Sequence, residues 1–294
     1  MELKGIIPAC VTLFKEDQTI DEKAMQDHIE YLIESGVHGI LVLGSTGEFA
    51  YLSETEKKQV IEIAAEQING KIPLVVGISS PSTKVAIELA KYAEEKGAGV
   101  VMAVLQTYFP LENKNIEMHY EKIAGSIAIP VYAYNFPITS KIDLSPKLVA
   151  KLAEKGILKG IKETVTDFSH LEQMIEATPK DFCVLCGTEL LLNKALKAGV
   201  KGAILGMGNC FPTLLVQIWD AFQAGEEEKF EMLWTEFSKI FPMQNQPFDY
   251  LPSLTKEILC AMGRQIDPQV RAPLRVLDER MKKKLQQIIQ EHFT

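Results

Sequence analysis

The sequence predicts a (β/α)8 barrel of the TIM type with a C-terminal helical extension. Three observations carry that expectation. Eight short apolar runs, many of them β-branched, alternate with longer amphipathic stretches. No G-x-G-x-x-G follows the first run, as a dinucleotide-binding open sheet would require, and no shift in composition marks a second domain. The eighth unit ends near Ala224, so residues 1–224 suffice for eight strand–helix repeats and residues 225–294 remain as helices packed on the barrel.

The runs, in order, are "GIIPACVTLF", "GILVLGS", "IPLVVGIS", "GVVMAVL", "PVYAYN", "LKGIK", "FCVLCG" and "GAILG". Strands buried on both faces read as continuous apolar segments of this kind, which is what a parallel sheet needs. Between them lie "SETEKKQVIEIAAEQI", "STKVAIELAKYAEEKG" and "SPKLVAKLAEKG", two of them opening on a serine cap followed by Glu or Lys at helical spacing. Gly36, Gly97, Gly156 and Gly199 stand where helices end and a left-handed residue is preferred. The last 70 residues hold about three helices, among them "EEEKFEMLWTEFSKIF" and "LDERMKKKLQQIIQEHF", and the "KKK" of the latter reads as a solvated face.

Composition narrows the function classes. The chain has 294 residues, 47% of them hydrophobic and 24% charged, with a net charge of −8. Acidic and basic residues are mixed along the helices, so neither a nucleic-acid face nor attraction to an anionic membrane is expected. No run is long enough to span a bilayer, the N-terminal residues do not read as a targeting peptide, and a cytoplasmic enzyme without one is expected. The five cysteines are scattered, which fits reduced thiols; Cys183 and Cys186 sit in a predicted strand and face opposite sides of it. The five histidines (His28, His38, His119, His170, His292) are dispersed, most are expected at surfaces or helix ends, and no metal site is indicated.

Barrel active sites lie at the C-terminal ends of the strands. The candidate positions there are Thr12, "GSTGE" at 44–48, "GISS" at 77–80, "LQTYFP" at 105–110, "YNFP" at 134–137, Lys162, "CGTE" at 186–189 and "GMGN" at 206–209. A lysine ending an apolar strand in a confined site loses hydration, which favours the free amine. A free amine condenses with a ketone to an imine, and the protonated imine is an electron sink for making or breaking a C–C bond. The competing reading is a strand-end lysine paired with Glu163 or another carboxylate. Gly160, on the same face, leaves room for a ligand or a crossing side chain. Tyr134 ends the neighbouring strand and could move protons, or could be a barrel-layer aromatic. Ser45 and Thr46, between two glycines, offer hydroxyls and backbone N–H groups for a carboxylate. Amine, phenol and cradle together describe a 2-keto acid site. A phosphosugar enzyme, or a barrel that binds a keto acid or phosphate without turnover, is the rival reading; the glycine-bearing loops at "CGTE" and "GMGN" would serve it, although neither carries Arg or Lys.

"GSTGE", "YNFP" and "GIKET", in this order and spacing, resemble the dihydrodipicolinate synthase / N-acetylneuraminate lyase family of Schiff-base class I aldolases, and the likeness runs from "GIIPACVTLF" to "IDPQVRAPL". The resemblance implies a lyase that uses no cofactor beyond a covalent imine between Lys162 and pyruvate. Tyr134 would be the proton relay, Ser45 and Thr46 would hold the carboxylate, and backbone near Gly187 and Ile204 would line the pocket. It also implies a homotetramer built as a dimer of dimers, in which Tyr108 extends the relay across an interface; the usual Thr-Pro before these aromatics reads Leu105-Gln106 here. Members that make dihydrodipicolinate carry Arg where this chain has Thr139. A neutral residue cannot hold a carboxylate bidentately, so the aldehyde partner is expected to be that of a sugar-acid or hydroxy-oxo-acid aldolase, with Lys141 a substitute point charge if aspartate semialdehyde is used instead.

Overall fold

The computed structural model describes residues 2–244 and 247–293. Eight strands alternate with helices in chain order. The first half runs β1 (Gly5–Pro8), α1 (Glu22–Glu34), β2 (Ile40–Val42), α2 (Glu54–Ile68), β3 (Leu74–Gly77), α3 (Thr83–Glu95), β4 (Val100–Val104) and α4 (Asn113–Ala124). It continues with β5 (Val131–Asn135), a single turn α5 (Pro137–Ser140), α6 (Pro146–Glu154), β6 (Gly160–Glu163), α7 (Phe168–Ala177), β7 (Cys183–Cys186), α8 (Leu192–Ala198), β8 (Gly202–Leu205) and α9 (Pro212–Gln223). After these come α10 (Glu227–Ser238), the one-turn α11 (Phe241–Gln244), α12 (Leu251–Ala261) and α13 (Glu279–His292).

All strand pairs are parallel, in the order β1-β8-β7-β6-β5-β4-β3-β2. A parallel bridge between Ala9 and Leu41 brings the two ends of the sheet together, with Cys10 N–H donating to the Leu41 carbonyl at 2.8 Å. This is the expected (β/α)8 TIM barrel with C-terminal helices. Every strand residue is buried, as it must be where helices cover one face and barrel side chains fill the other.

Local chemistry explains the helix ends. Ser53 and Glu56 form a reciprocal capping box on α2, and Ser145 accepts from Leu148 N–H at the start of α6. Gly36, Gly97, Gly156 and Gly199 all have positive φ, the left-handed geometry a Cβ would oppose. Gly160 serves the crossing side chain: a Cβ there would lie 2.3 Å from the Tyr132 ring, its register partner on β5.

Two histidines depart from expectation. His28 in α1 and His119 in α4 are buried, not at surfaces or helix ends. Each occupies the inward stripe of its helix because a polar partner meets it there. His28 Nε2 lies 2.9 Å from Asn209 Oδ1, and His119 Nδ1 lies 2.9 Å from Thr83 Oγ1. Burial lowers the His28 pKa to about 4, so its ring stays neutral. In the "KKK" run, Lys283 and Lys284 are exposed, but Lys282 is half-buried and pairs with Glu257.

Candidate active site

Lys162 is the third residue of β6. Alternation along a strand sends its side chain into the barrel and that of Glu163 outward to the helix layer. The register partner of Lys162 on β5 is Tyr134, and that of Glu163 is Asn135. The Lys162 Nζ lies 4.3 Å from the centre of the Tyr134 ring. Lys162 is only 4% exposed, and among the described residues it forms no ion pair. The alternative partner, Glu163, is on the other side of the wall.

Across the rim, the turn after β2 brings Ser45 Oγ to 3.3 Å from the Tyr134 hydroxyl. Thr46 is buried, and its hydroxyl has no hydrogen-bond partner among the described residues. The turn is fixed from several sides. Thr12 Oγ1 donates to the Gly47 carbonyl at 2.7 Å, and a Cβ on Gly47 would lie 2.8 Å from the Cys10 carbonyl oxygen. Two non-glycine residues flank it in the left-handed region, Leu43 at φ 58° and Glu48 at φ 59°. Such geometry costs of order 1–3 kcal/mol per residue and persists only where the surroundings over-determine it.

Ser45, Thr46, Tyr134, Lys162 and Gly187 line one inner cavity of about 110 Å³. Gly187 is required there, since a Cβ would fall 1.9 Å from Thr164 Oγ1 and 2.9 Å from the Glu163 carbonyl oxygen. Ile204 does not line this cavity. It is fully buried on β8 opposite Ile7, and Gly206, two residues further along, is the lining residue from that strand end. An outer vestibule of about 410 Å³ shares Ser45, Phe136, Phe248 and Leu251 with the inner cavity. Thr139 on α5 lines it, exposed, with its hydroxyl donating to the Phe136 carbonyl at 3.1 Å. Among the described residues, no Lys or Arg lines the vestibule. Lys141 turns back instead, its ammonium on the Ile138 carbonyl at 2.7 Å. Tyr108 is apart from the cluster: it follows β4, is 93% exposed, and packs edge to face on Phe109.

Three parts of the site were given no role by the sequence motifs. The carboxylate of Glu189 lines the inner cavity and accepts from Met207 N–H at 2.8 Å; the "E" of "CGTE" was its only trace. The start of α12 walls both cavities through Leu251, with Leu254 added on the inner side. Glu48 is buried and paired with Lys256 of α12 at 2.6 Å, while its second oxygen accepts from Arg271 N–H at 2.8 Å. Burial raises the Glu48 carboxyl and lowers the Lys256 ammonium, and each is opposed by the other.

All five cysteines are free thiols. Cys183 and Cys186 bond to the Leu3 and Thr188 carbonyls on opposite sides of β7, and burial pushes both thiols up, to about 11 and about 12. Among the described residues no group of three or more His, Cys, Asp or Glu is placed to hold a metal ion, and no helix is long and apolar enough to cross a membrane.

The chain matches the dihydrodipicolinate synthetase family over residues 2–292. It is 36% identical over 230 residues to the 4-hydroxy-tetrahydrodipicolinate synthase of Methanopyrus kandleri, covering 78% of this chain and 77% of the relative. It is 31% identical over 291 residues to YagE of Escherichia coli, a candidate 2-dehydro-3-deoxy-D-gluconate aldolase, covering 98% and 96%. Among solved structures, that of YagE in complex with pyruvate superposes with a TM-score of 0.94 at 31% identity and 98% coverage of both chains.

Proposed function

The chain belongs to the dihydrodipicolinate synthetase family, whose members are lyases, and from that premise we propose that it is a pyruvate-dependent class I aldolase acting through an imine on Lys162. The observation that carries this reading is the buried Lys162 amine, without an ion pair among the described residues, above the Tyr134 ring and in one cavity with Ser45 and Thr46. In this mechanism the amine adds to the keto carbon of pyruvate. The Tyr134 hydroxyl, beside Ser45, moves the protons that let the carbinolamine lose water. The protonated imine then releases a methyl proton, and the resulting enamine adds to an aldehyde; the reverse sequence cleaves the same bond. Ser45 and the unpartnered Thr46 hydroxyl hold the carboxylate, and Gly187 keeps the cavity open. No cofactor is required in this scheme. Exposure of Tyr108 and Phe109 suits a dimer-of-dimers homotetramer in which Tyr108 is contributed to a neighbouring copy.

For the aldehyde, the vestibule favours a neutral, hydroxylated partner. Thr139, Ser140, Gln106 and Thr107 offer hydrogen bonds there, the Glu48 and Asp249 carboxylates also line it, and its described lining residues include no Lys or Arg. The relative named as a synthase supports aspartate semialdehyde as the second reading.

Borohydride reduction in the presence of pyruvate, followed by peptide mass spectrometry, tests the mechanism. A pyruvate adduct on Lys162 is expected, and an unmodified Lys162 peptide overturns the reading. Initial rates with glyceraldehyde against aspartate semialdehyde decide the partner. Trapping without turnover on any aldehyde would favour a binding barrel.

A further inference from the structure

The outer face of the β5–β6 wall carries a polar cluster in an otherwise apolar layer. Tyr134 and Lys162 are register partners on the inner face, and Asn135 and Glu163, one residue on, are register partners on the outer face. The outer pair is joined by its side chains: Asn135 Nδ2 donates to Glu163 Oε1 at 2.7 Å. The same amide donates to Asp143 Oδ1 at 2.9 Å, and its oxygen accepts from Leu144 N–H at 3.0 Å. Backbone groups of both residues bind the next strand ends, with Thr164 N–H on the Asn135 carbonyl at 2.9 Å and Gly187 N–H on the Glu163 carbonyl at 2.7 Å. Asn135 therefore uses its side-chain donors and acceptor where the amine strand, the phenol strand and the segment that follows Thr139 meet.

We propose that Asn135 and Glu163 are positioning residues, whose bond on the dry side of the wall sets the placement of Lys162 against Tyr134 and anchors the Thr139 segment to the same point. The inference rests on the imine reading of Lys162. Neither residue touches substrate. Each follows directly on a residue that does, so a shift of the outer pair moves the inner pair through one peptide unit. A displacement of 1 Å in such a geometry can cost about a hundredfold in rate.

The cluster is also responsive to pH. Burial pushes the Glu163 carboxyl up to about 8; the Asn135 donor opposes this and the Asp143 charge adds to it. Four groups face it. They are Asn135 from β5, Asp143 from the segment before α6, His170 from α7 and Cys186, its register partner on β7. His170 has its ring nitrogens 3.5 Å from Glu163 Oε1 and 3.3 Å from Asp143 Oδ1, without hydrogen-bond alignment, and Glu163 Oε2 has no partner among the described residues. A neutral Glu163 fits this pocket. An ionised one places an unpartnered carboxylate oxygen in a buried site that faces the Asp143 carboxylate; the Asn135 donor is then held more strongly, but the repulsion and lost hydration displace the cluster as a whole.

The test is the rate of borohydride trapping of pyruvate on Lys162, followed by peptide mass spectrometry from pH 6 to pH 10, in the wild type, E163Q and E163L. The quantity compared is the wild-type to E163Q ratio. It is expected to fall with a midpoint near the Glu163 value. At pH 7, E163Q, which keeps the acceptor for Asn135, is expected to trap at least tenfold faster than E163L, which does not. A ratio that stays flat across the range overturns the proposal whether or not E163L folds, and so does E163L trapping at the wild-type rate. Absence of trapping in the wild type would instead overturn the imine reading, and it is seen without any variant.

Discussion

Lys162 and Tyr134 are paired in register on adjacent strands, and the lysine amine stands 4.3 Å above the centre of the tyrosine ring. The ring and the hydroxyl of Tyr134 therefore do separate things. The face of the ring lies beneath the amine, while the hydroxyl, 3.3 Å from Ser45 Oγ, is the group proposed to transfer protons.

Tyr134→Phe separates the two. The ring stays beneath the amine and only a long hydrogen bond is lost, so the melting temperature should change little. Turnover should fall about a hundredfold or more, the usual contribution of a positioned acid–base group. Steady-state kinetics with pyruvate and an aldehyde, beside a thermal melt, check both halves.

Glu163→Gln should stabilise the protein in a defined pH window. The folded carboxyl titrates near 8 against 4.5 for an ordinary glutamate. Between those values the unfolded chain ionises and the folded one resists, so wild-type stability falls from about pH 4.5 to about pH 8 and then levels. The melting-temperature advantage of the variant should grow over the same interval and stay constant above it. An advantage independent of pH would contradict the raised carboxyl.

Lys256→Met should be strongly destabilising, by about 3–5 kcal/mol, because it leaves Glu48 buried without its cation. The double variant Glu48→Gln/Lys256→Met should lose less than Lys256→Met alone. Urea denaturation of the single and double variants completes the comparison.

Gly187→Ala should disturb the cavity from within. The new methyl group meets Thr164 Oγ1 at 1.9 Å and the Glu163 carbonyl oxygen at 2.9 Å, so backbone must shift. A loss of about 1–3 kcal/mol in stability is expected, together with weaker pyruvate binding. Titration of pyruvate against the folded variant measures the second effect.

Thr139→Arg should change the choice of aldehyde. The side chain is exposed and lines the vestibule, so a guanidinium can be accommodated. The rate with aspartate semialdehyde relative to glyceraldehyde should rise about tenfold, roughly the worth of one charge-assisted hydrogen bond. An unchanged ratio would remove position 139 from aldehyde selection.

The barrel was legible in the sequence because each strand announces itself by a run such as "VVMAV" or "CVLC" that only a doubly covered strand tolerates. Knowing which end of a barrel does chemistry then singled out Lys162, Tyr134, Ser45 and Thr46, and all four meet in one cavity. What stayed hidden depends on contacts distant in sequence. His28 looks like a surface residue until Asn209, 181 positions away, supplies its partner. Glu48 looks like the end of a turn until Lys256 arrives from 208 positions on. The walls contributed by Leu251 and Leu254 follow from how α12 docks, which no local period encodes. Near Ile204, which the family resemblance named, the residue that lines the cavity is Gly206, two positions along the same chain segment.

The lock between Glu48 and the Lys256–Arg271 segment has a consequence for how the protein is made. The turn that presents Ser45 and Thr46 is written in the first sixth of the gene, but its buried carboxylate finds a cation only when the last sixth has been translated. A nascent chain that has already emerged through β8 can carry the amine and the phenol and still lack a finished cradle opposite them. Competence for chemistry should therefore switch on late, as the C-terminal helices leave the ribosome, and a chain cut short before Lys256 should remain inert even where its strands have closed.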